Sequence, residues 1–344
     1  MKINNALLAA TLVLPTLPAL SQATDNPENN FSILLRLQAE LVHVDGSAAE
    51  ARDADGWYLT DGWAGGNKNR MNFGALFIDG EHRLSDGLRA VGRFGLNINT
   101  EGLAEGSAQQ RELYVGLASD YGQLVAGRLE TPYKQAALGW DPLNGTAFQA
   151  RGNIGRSGGA FGHASYINNG LEYSHQFGPV SLRAMAALDE DSETTSERPL
   201  WSASLAMPVG PVELIVSHID ASEFDDGPDK RTGTKFGARY SEGPWTIAGH
   251  YEIRGEGLED GDFMFLTTAY RWQDWSFTAS HGRFSDDSIN DDDGRYSAVA
   301  ARYHLARNVT AHAGLRRLTR DTGGTENIAG IGIRAIFNTG NLLR

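Results

Sequence analysis

The residue types that perform catalysis or bind metals are scattered in this chain. It has 344 residues and no cysteine, and its nine histidines form no HxH, HExxH or mixed Cys/His motif. Transition metals are held by ligands at such spacings, so the sequence predicts no metal site and no cofactor. No GxSxG motif and no phosphate-binding glycine loop occurs either, and the sequence offers no catalytic nucleophile or nucleotide site.

The acidic residues also lack a site pattern. The run Asp291-Asp292-Asp293-Gly294 is similar to a calcium loop, but EF-hand spacing would place Ile289 at the first ligand position. A solvated acidic loop is the favoured interpretation, and loose divalent binding stays open. The formal net charge is −13. Because binding to phosphate backbones needs clustered Lys and Arg, this balance argues against nucleic acid as a partner.

Arginine is the charged residue whose placement is regular. Arg36, Arg70 and Arg93 each fall on the polar face of a segment in which apolar and polar residues alternate. Successive side chains of a strand point to opposite faces, so these arginines lie opposite the apolar side chains. Rings of charge on a pore wall set an ion preference. Wall salt bridges with Glu40 or Glu252 are the alternative interpretation.

The elements that position these arginines are short amphipathic strands. From about Phe31 onward, segments of roughly ten residues alternate apolar and polar side chains, which is typical of a transmembrane β-barrel with a watery lumen. The sixteen predicted strands cover residues 31–44, 70–82, 88–100, 110–118, 123–129, 168–175, 180–188, 200–207, 212–220, 234–240, 245–254, 263–272, 275–283, 295–304, 309–318 and 327–337. An even number of strands places both termini on the same side of the membrane.

Short turns and long loops alternate between these strands without exception. The long connections include residues 45–69, 130–167, 189–199, 221–233 and 285–294. Short turns on one rim and long loops on the other are typical of periplasmic turns and external loops. This strict alternation is harder to explain with a soluble sandwich than with an up-and-down barrel.

The N-terminus has the features of a secretory signal. Lys2 precedes an uncharged apolar stretch from Ala6 to Ala19, and small residues follow up to Ala23. The stretch is about 14 residues long, whereas a membrane-spanning helix needs roughly 20, so an N-terminal anchor is the weaker alternative. The predicted divisions are a cleaved signal peptide over residues 1–23, a barrel over 24–337 and a C-terminal tail over 338–344. We expect the exported barrel in the outer membrane, in contact with lipid and lipopolysaccharide.

The stretch QRELYVGLASDYGQLVAGRLETPYKQAALGWDPLNG from Gln110 resembles the general (non-specific) porin family of Gram-negative outer membranes. The family pattern is R-x-x-Y-V-G-L, a glycine turn, and then G-R-x-x-T-P leading into the long third loop. The resemblance implies a 16-stranded antiparallel transmembrane β-barrel, all-β, with loop 3 folded into the lumen from about Glu130 to Ile167. It also implies a homotrimer and passive diffusion of ions and small hydrophilic solutes.

The resemblance also implies the residues of a pore constriction. Where the family often has a second carboxylate in loop 3, this chain has Asn144 or Gly145, so Glu130 and Lys134 are expected to contribute. One difficulty is Arg111, because strict alternation from Leu113 would turn it outward. The candidate constriction consists of Arg36, Arg70, Arg93, Arg111, Arg156, Glu130, Lys134 and Asp141.

Two other functions stay open from the residues alone. A barrel enzyme, such as an outer-membrane lipase or protease, would need Ser/His or Asp/His partners near one rim, and no such motif is visible. A binding or adhesion protein would use the acidic loops as its surface. For a channel we expect a weak ion preference set by local charge, with a slight lean to cations because acidic residues are frequent in the outer loops.

Overall fold

The computed structural model describes residues 29–53, 55–62, 73–98, 100, 110–157, 166–188, 198–224, 231–255, 260–287 and 292–339. The predicted signal peptide and most of the predicted tail lie outside these described residues. The same holds for Arg70, one of the candidate constriction residues.

The strands form one antiparallel sheet of seventeen segments. In chain order they are β1 Asn29–Gly46, β2 Gly56–Thr60, β3 Ala75–Ser85, β4 Leu88–Asn97, β5 Gln110–Ser119, β6 Gly122–Leu129, β7 Ile167–Phe177, β8 Val180–Ala187, β9 Leu200–Val209, β10 Val212–Asp220, β11 Thr232–Glu242, β12 Trp245–Gly255, β13 Gly261–Trp272, β14 Trp275–Asp286, β15 Gly294–Ala306, β16 Val309–Arg320 and β17 Gly324–Asn338. The helical elements are α1 Ala49–Asp53, α2 Pro132–Gln135 and a 3-10 turn at Leu138–Trp140. In the described part of the chain, no helix has the length and apolarity needed to span a membrane.

The first and last strands close the sheet into a barrel. β1 pairs with β17 through residues 34–46. On its other side, β1 pairs with β3 through residues 29–36 and with β2 through residues 40–44. β2 and β3 therefore share one position beside β1, and the closed barrel has sixteen strand positions.

The predicted 16-stranded antiparallel barrel is confirmed, because each predicted strand overlaps a strand of the structure. The sequence did not predict β2, which lies inside the predicted long loop 45–69. β2 has only five residues, too few for a two-residue period to stand out. Its apolar Trp57 and Leu59 are both exposed, as on the outward faces of the longer strands.

Each strand has an outward apolar face and an inward face that is largely polar or charged. On β14, for example, Phe277 and Ala279 are exposed, whereas Thr278 and Ser280 are buried. This alternation follows from the pleat, which sends successive side chains to opposite sides of the sheet. The strand arginines identified from the sequence, such as Arg36 and Arg93, have the inward parity.

The short turns use glycine where the backbone needs it. Gly178, Gly210 and Gly243 have φ values of +57°, +60° and +57°. A side chain with a Cβ atom rarely adopts this left-handed conformation, whereas glycine adopts it freely. The tight hairpins β7–β8, β9–β10 and β11–β12 depend on these residues.

The connection between β6 and β7, here called loop 3 (residues 130–166), contributes to the largest buried apolar cluster. Leu143 and Phe148 of loop 3 pack in this cluster with inward side chains of the wall, including Val42, Phe265 and Tyr296. On another part of the ring, Tyr133 of loop 3 belongs to a second cluster with residues of β4 to β10. Residues of loop 3 thus pack against side chains of well-separated strands.

A charge substitution tests the outward apolar face. Val216 lies near the middle of β10, between the exposed side chains of Leu205 and Phe236 on the adjacent strands. We expect Val216→Arg to lower the free energy of unfolding by about 2–4 kcal/mol, because a charge near the bilayer midplane meets hydrocarbon. Urea unfolding in lipid vesicles measures this change.

The control for that substitution lies at the rim. Val209→Arg at the end of β9 should lower the free energy of unfolding by only about 0–1 kcal/mol, because charges near the interface reach water. Equal effects of the two substitutions would contradict a lipid-facing belt.

Candidate functional site

Three of the predicted arginines meet around one aromatic ring. The Cζ atoms of Arg36, Arg93 and Arg111 lie 5.0, 5.1 and 5.3 Å from the centroid of the Phe77 ring. Phe77 is on the inward face of β3 and is 5% exposed. A guanidinium within about 6 Å of a ring centroid is attracted to its face, so Phe77 gives three like charges a common favourable contact.

Alternating charges connect this cluster to loop 3. Arg93 lies 3.9 Å from Glu112. Arg111 lies 3.5 Å from Glu112 and 3.7 Å from Glu130. Glu130 in turn is 2.8 Å from the Nζ atom of Lys134. The candidate residues Arg36, Arg93, Arg111, Glu130 and Lys134 therefore form one continuous site on β1, β4, β5 and the start of loop 3.

The two loop residues of this site are charged at neutral pH. Burial alone would raise the pKa of the Glu130 carboxyl, but Lys134 and Arg111 hold that pKa at about 2. Burial lowers the pKa of Lys134 to about 8, against the opposing effect of Glu130. Both groups therefore contribute full or nearly full charges to the inner wall.

Arg36 differs from the other cations of the site. It makes no ion pair with any residue that the structure describes, and its guanidinium instead lies 5.0 Å from the ring centroids of both Phe73 and Phe77. Its Nε atom is buried and has no hydrogen-bond partner within the described ranges. Arg36 consequently adds positive charge that no described carboxylate neutralises at close range.

A β-bulge explains why Arg111 belongs to the inner wall. Phe94 of β4 pairs with Leu113, but Leu96 pairs with Gln110, so β5 contains one extra residue between these pairs. A bulge of this kind breaks the alternation of faces. Arg111 and its neighbour Glu112 therefore both lie on the inner side, with side chains 13% and 10% exposed, although strict alternation would turn Arg111 outward.

Loop 3 is bonded to β11 and β12 at one side of the ring. The Glu252 carboxylate accepts hydrogen bonds from the Tyr133 hydroxyl at 2.7 Å and the Ser157 hydroxyl at 2.6 Å. Its other oxygen lies 2.9 Å from the Nε2 atom of His250. Lys235 donates to the Tyr133 carbonyl at 2.8 Å. The fully buried Glu252 side chain thus holds both the beginning and the end of the described part of loop 3.

A second set of bonds joins loop 3 to β1, β15 and β17. Gln38 donates to the Gly145 carbonyl at 2.6 Å, and Glu40 accepts from the Ala147 amide at 2.8 Å. Arg334 donates to the Asn144 carbonyl at 3.0 Å, and Arg302 donates to the Pro142 carbonyl. These partners could not be predicted from the sequence, because backbone carbonyls are the same at every residue and leave no signature in it.

The remaining candidate residues, Asp141 and Arg156, are bonded within loop 3 itself. The two oxygens of Asp141 accept from the Leu143 and Ala150 amides, each at 2.9 Å. Arg156 donates to the Ala137 and Leu138 carbonyls at 2.6 and 3.1 Å. Both side chains are buried, so they fix the path of the loop backbone rather than standing in the cluster around Phe77.

Comparison with known proteins identifies the family. A family model described as Gram-negative porin matches residues 6–323. The chain belongs to the Gram-negative porin family. No curated protein matches this porin. It is an outer-membrane channel for passive diffusion of solutes, and its family and fold point to a channel rather than an enzyme.

Solved structures share the fold of this porin at low sequence identity. An anion-selective porin from Comamonas acidovorans has a TM-score of 0.72 and 18% identity, covering 90% of this chain and 100% of that chain. OmpF of Salmonella typhi in complex with daunomycin has a TM-score of 0.67 and 13% identity, with coverage of 92% and 100%. The outer-membrane channel DcaP of Acinetobacter baumannii has a TM-score of 0.63 and 12% identity, with coverage of 92% and 100%.

Replacing the Asp141 carboxylate tests its bonds to the loop. Asp141→Asn keeps one acceptor oxygen and loses the other, so either the Leu143 or the Ala150 amide loses its partner. A buried group without its partner costs about 1–3 kcal/mol. We expect faster proteolysis within loop 3 of the folded porin, and a reversal potential close to that of the wild type. A large change in ion selectivity without faster cleavage would show instead that the Asp141 charge acts on permeating ions.

Proposed function

We propose that loop 3 lies inside the lumen and limits the size of permeating solutes. One observation carries this proposal: loop 3 is hydrogen-bonded to inward side chains on separated strands. These side chains are Gln38 and Glu40 on β1 and Glu252 on β12. A loop held from several sides of a closed ring crosses the space that the ring encloses. The water-filled lumen removes the hydrocarbon barrier, and the loop leaves a narrower passage.

We place the narrow passage beside the cluster around Phe77. Apolar side chains of loop 3 pack against the wall from β13 to β1, whereas β4 and β5 carry the charged side chains of Arg93, Arg111 and Glu112. Solutes would pass Arg36, Arg93 and Arg111 on the wall. Opposed charges at such a passage orient dipolar solutes and bias ions.

The local charges favour anions at this passage. The site contains more cations than paired carboxylates. The four cations are Arg36, Arg93, Arg111 and Lys134, and the three paired carboxylates are Asp79, Glu112 and Glu130. Most acidic residues that give the net charge of −13 lie elsewhere, and at physiological salt charges beyond about 8 Å are largely screened. We therefore propose that the channel weakly prefers anions. This differs from the slight cation preference expected from the acidic loops.

The assembly and the export of the porin are also proposals. A homotrimer in the outer membrane, in contact with lipid and lipopolysaccharide, fits the family. One structure of Vibrio cholerae OmpT with the same fold is described as a trimer form, at 13% identity. A signal peptide over residues 1–23 would direct export, and residues 338–344 would form a tail.

Reconstitution in planar bilayers tests the channel and its limiting segment. The wild-type porin should give stepwise ohmic conductance. Deleting residues 135–144 should raise the step size and admit larger sugars, because the deleted segment contains the carbonyls bonded by Arg302 and Arg334.

A deletion in another loop is the control, because it separates an effect of loop 3 from the effect of shortening any loop. Shortening the connection between β8 and β9 by the same number of residues should leave the step size unchanged. Folded wild-type protein that leaves bilayers silent would refute the channel, whereas an unchanged step after deletion of residues 135–144 would place loop 3 outside the passage.

Charge substitutions test the proposed selectivity site. Replacing Arg36 and Arg111 together with Gln removes two positive charges beside Phe77. We expect the reversal potential in a salt gradient to move toward cation preference. Replacing Asp292 and Asp293, just before β15, with Asn should move it less in the opposite direction, because these carboxylates are near the loop rim and each already has an arginine partner. A larger effect of the aspartate pair at moderate salt would place the selectivity filter at the channel mouth.

A further inference from the structure

A second polar site lies away from the Phe77 cluster, in a cavity between loop 3 and the short-turn ends of β8 to β11. Residues 135–140 of loop 3 form one side of this cavity. Arg183 on β8, Glu213 on β10 and Arg239 on β11 contribute to the wall side. The cavity is partly open and has a volume of about 60 Å³. A water-sized group needs about 10–15 Å³ of such space, so there is room for a solute of about four to six non-hydrogen atoms.

Small side chains on the wall and a fixed indole on the loop give the cavity its shape. Ser204 and Ala206 of β9 both line it, and their short side chains leave space between the longer ones of β8 and β10. Across the cavity, Trp140 packs against Gly237 of β11, where a Cβ atom would lie 2.7 Å from the ring. The Cζ atom of Arg239 is 5.6 Å from the indole centroid. Trp140 is therefore held at the edge of the cavity by backbone on one side and a guanidinium on the other.

Several polar groups of the cavity are donors that the protein leaves unused. Arg183 donates to Glu172 at 2.6 Å and to the Gln135 side chain, but its Nε atom has no hydrogen-bond partner among the described residues. Within the same ranges, the Ser204 hydroxyl and the Trp140 Nε1–H group make no hydrogen bond either. Guanidinium, hydroxyl and indole N–H groups all donate to carboxylate oxygens. This side of the cavity is complementary to a carboxylate.

An acceptor stands on the β10 side of the cavity. Glu213 is paired with Arg239 through its Oε2 atom at 2.5 Å, and its Oε1 atom contacts no donor in the part of the chain that the structure describes. Arg183 is likewise paired with Glu172. Because each guanidinium has one carboxylate partner, the cavity carries both signs of charge and no net charge of its own. A solute with a single charge would satisfy only one side of it.

We propose that this cavity is a binding site for small zwitterionic solutes, namely the main-chain groups of free amino acids. The solute carboxylate accepts from Arg183, Ser204 and Trp140, and its ammonium donates to Glu213. Charge-assisted hydrogen bonds of this kind are stronger than bonds between neutral groups, so a zwitterion gains at both ends. The proposal rests on the placement of loop 3 inside the lumen, because residues 135–140 close the site.

Fluorine NMR of the folded porin in detergent micelles tests this site. The full chain is labelled with 5-fluorotryptophan, and the resonance that is missing in Trp140→Phe is that of Trp140. Glycine should shift this resonance in a saturable manner. Acetate and methylammonium each carry one of the two charges, so each should bind more weakly by about tenfold or more, which corresponds to about 1.4 kcal/mol. Acetate that binds as tightly as glycine, or glycine that causes no saturable shift, would overturn the proposal.

Two matched double variants separate this cavity from the rest of the inner wall. Arg239→Gln with Glu213→Gln removes one ion pair of the cavity without changing the net charge, and should weaken glycine binding by about tenfold or more. Arg89→Gln with Glu81→Gln removes an ion pair of 3.0 Å between β4 and β3, outside the cavity, and should leave glycine binding near that of the wild type. Equal losses in the two double variants would overturn the site.

A packing variant keeps the test decisive if the loss of the buried ion pair prevents folding. Ala206→Leu leaves every charge in place and fills the space beside Ser204, so glycine binding should weaken as in the Arg239 and Glu213 double variant. Retention of native electrophoretic mobility without heating reports folding of each variant. Wild-type glycine affinity in folded Ala206→Leu porin would show that glycine does not occupy the cavity.

The same label distinguishes this site from the placement of loop 3. Because Arg239 lies over the indole, the Trp140 resonance should differ between wild-type porin and the Arg239 and Glu213 double variant even without glycine. A resonance that responds to this substitution but not to glycine would refute the amino acid site alone. A resonance that responds to neither would contradict the contact of loop 3 with β11, and with it the proposed function.

Discussion

Closure of the sheet between β1 and β17 is the constraint on which the rest of the structure depends. Hydrocarbon cannot hydrogen-bond to exposed backbone N–H and C=O groups, so every strand edge at membrane depth has to be paired. β1 meets this requirement with eighteen residues, which pair with β17 on one side and with β2 and β3 on the other. The register of these pairs also decides, strand by strand, which side chains face the lumen and which face lipid.

That register sends polar groups to the inner face, where loop 3 supplies many of their partners. Arg302, Arg334 and Lys235 donate to loop carbonyls, whereas Glu40 accepts from a loop amide. A carbonyl satisfies a guanidinium as a hydrogen-bond acceptor but does not cancel its charge. The bonds that hold loop 3 therefore leave positive charge on the wall, in addition to that of Arg36.

The sequence predicted the barrel well because its signal is repeated in every long strand. The two-residue period, the glycine turns and the alternation of loop lengths agree over the whole chain. They could not predict β2, which has only five residues, or the inward position of Arg111, which depends on one extra residue in β5. The resemblance identified the cations of the site but not their common contact with Phe77, because an inward aromatic residue on a strand resembles any other packed side chain.

The two groups of arginines in this porin show that position on a strand, rather than net charge, decides what a charge does. Arg93 faces inward and is paired with Asp79 at 2.6 Å, close to Phe77. Arg295 and Arg317 face outward on strands of the same sheet and have no such partner among the described residues. A shift of register by one residue would exchange the two faces. The net charge of −13 describes neither environment, because each arginine responds to groups within about 8 Å at physiological salt.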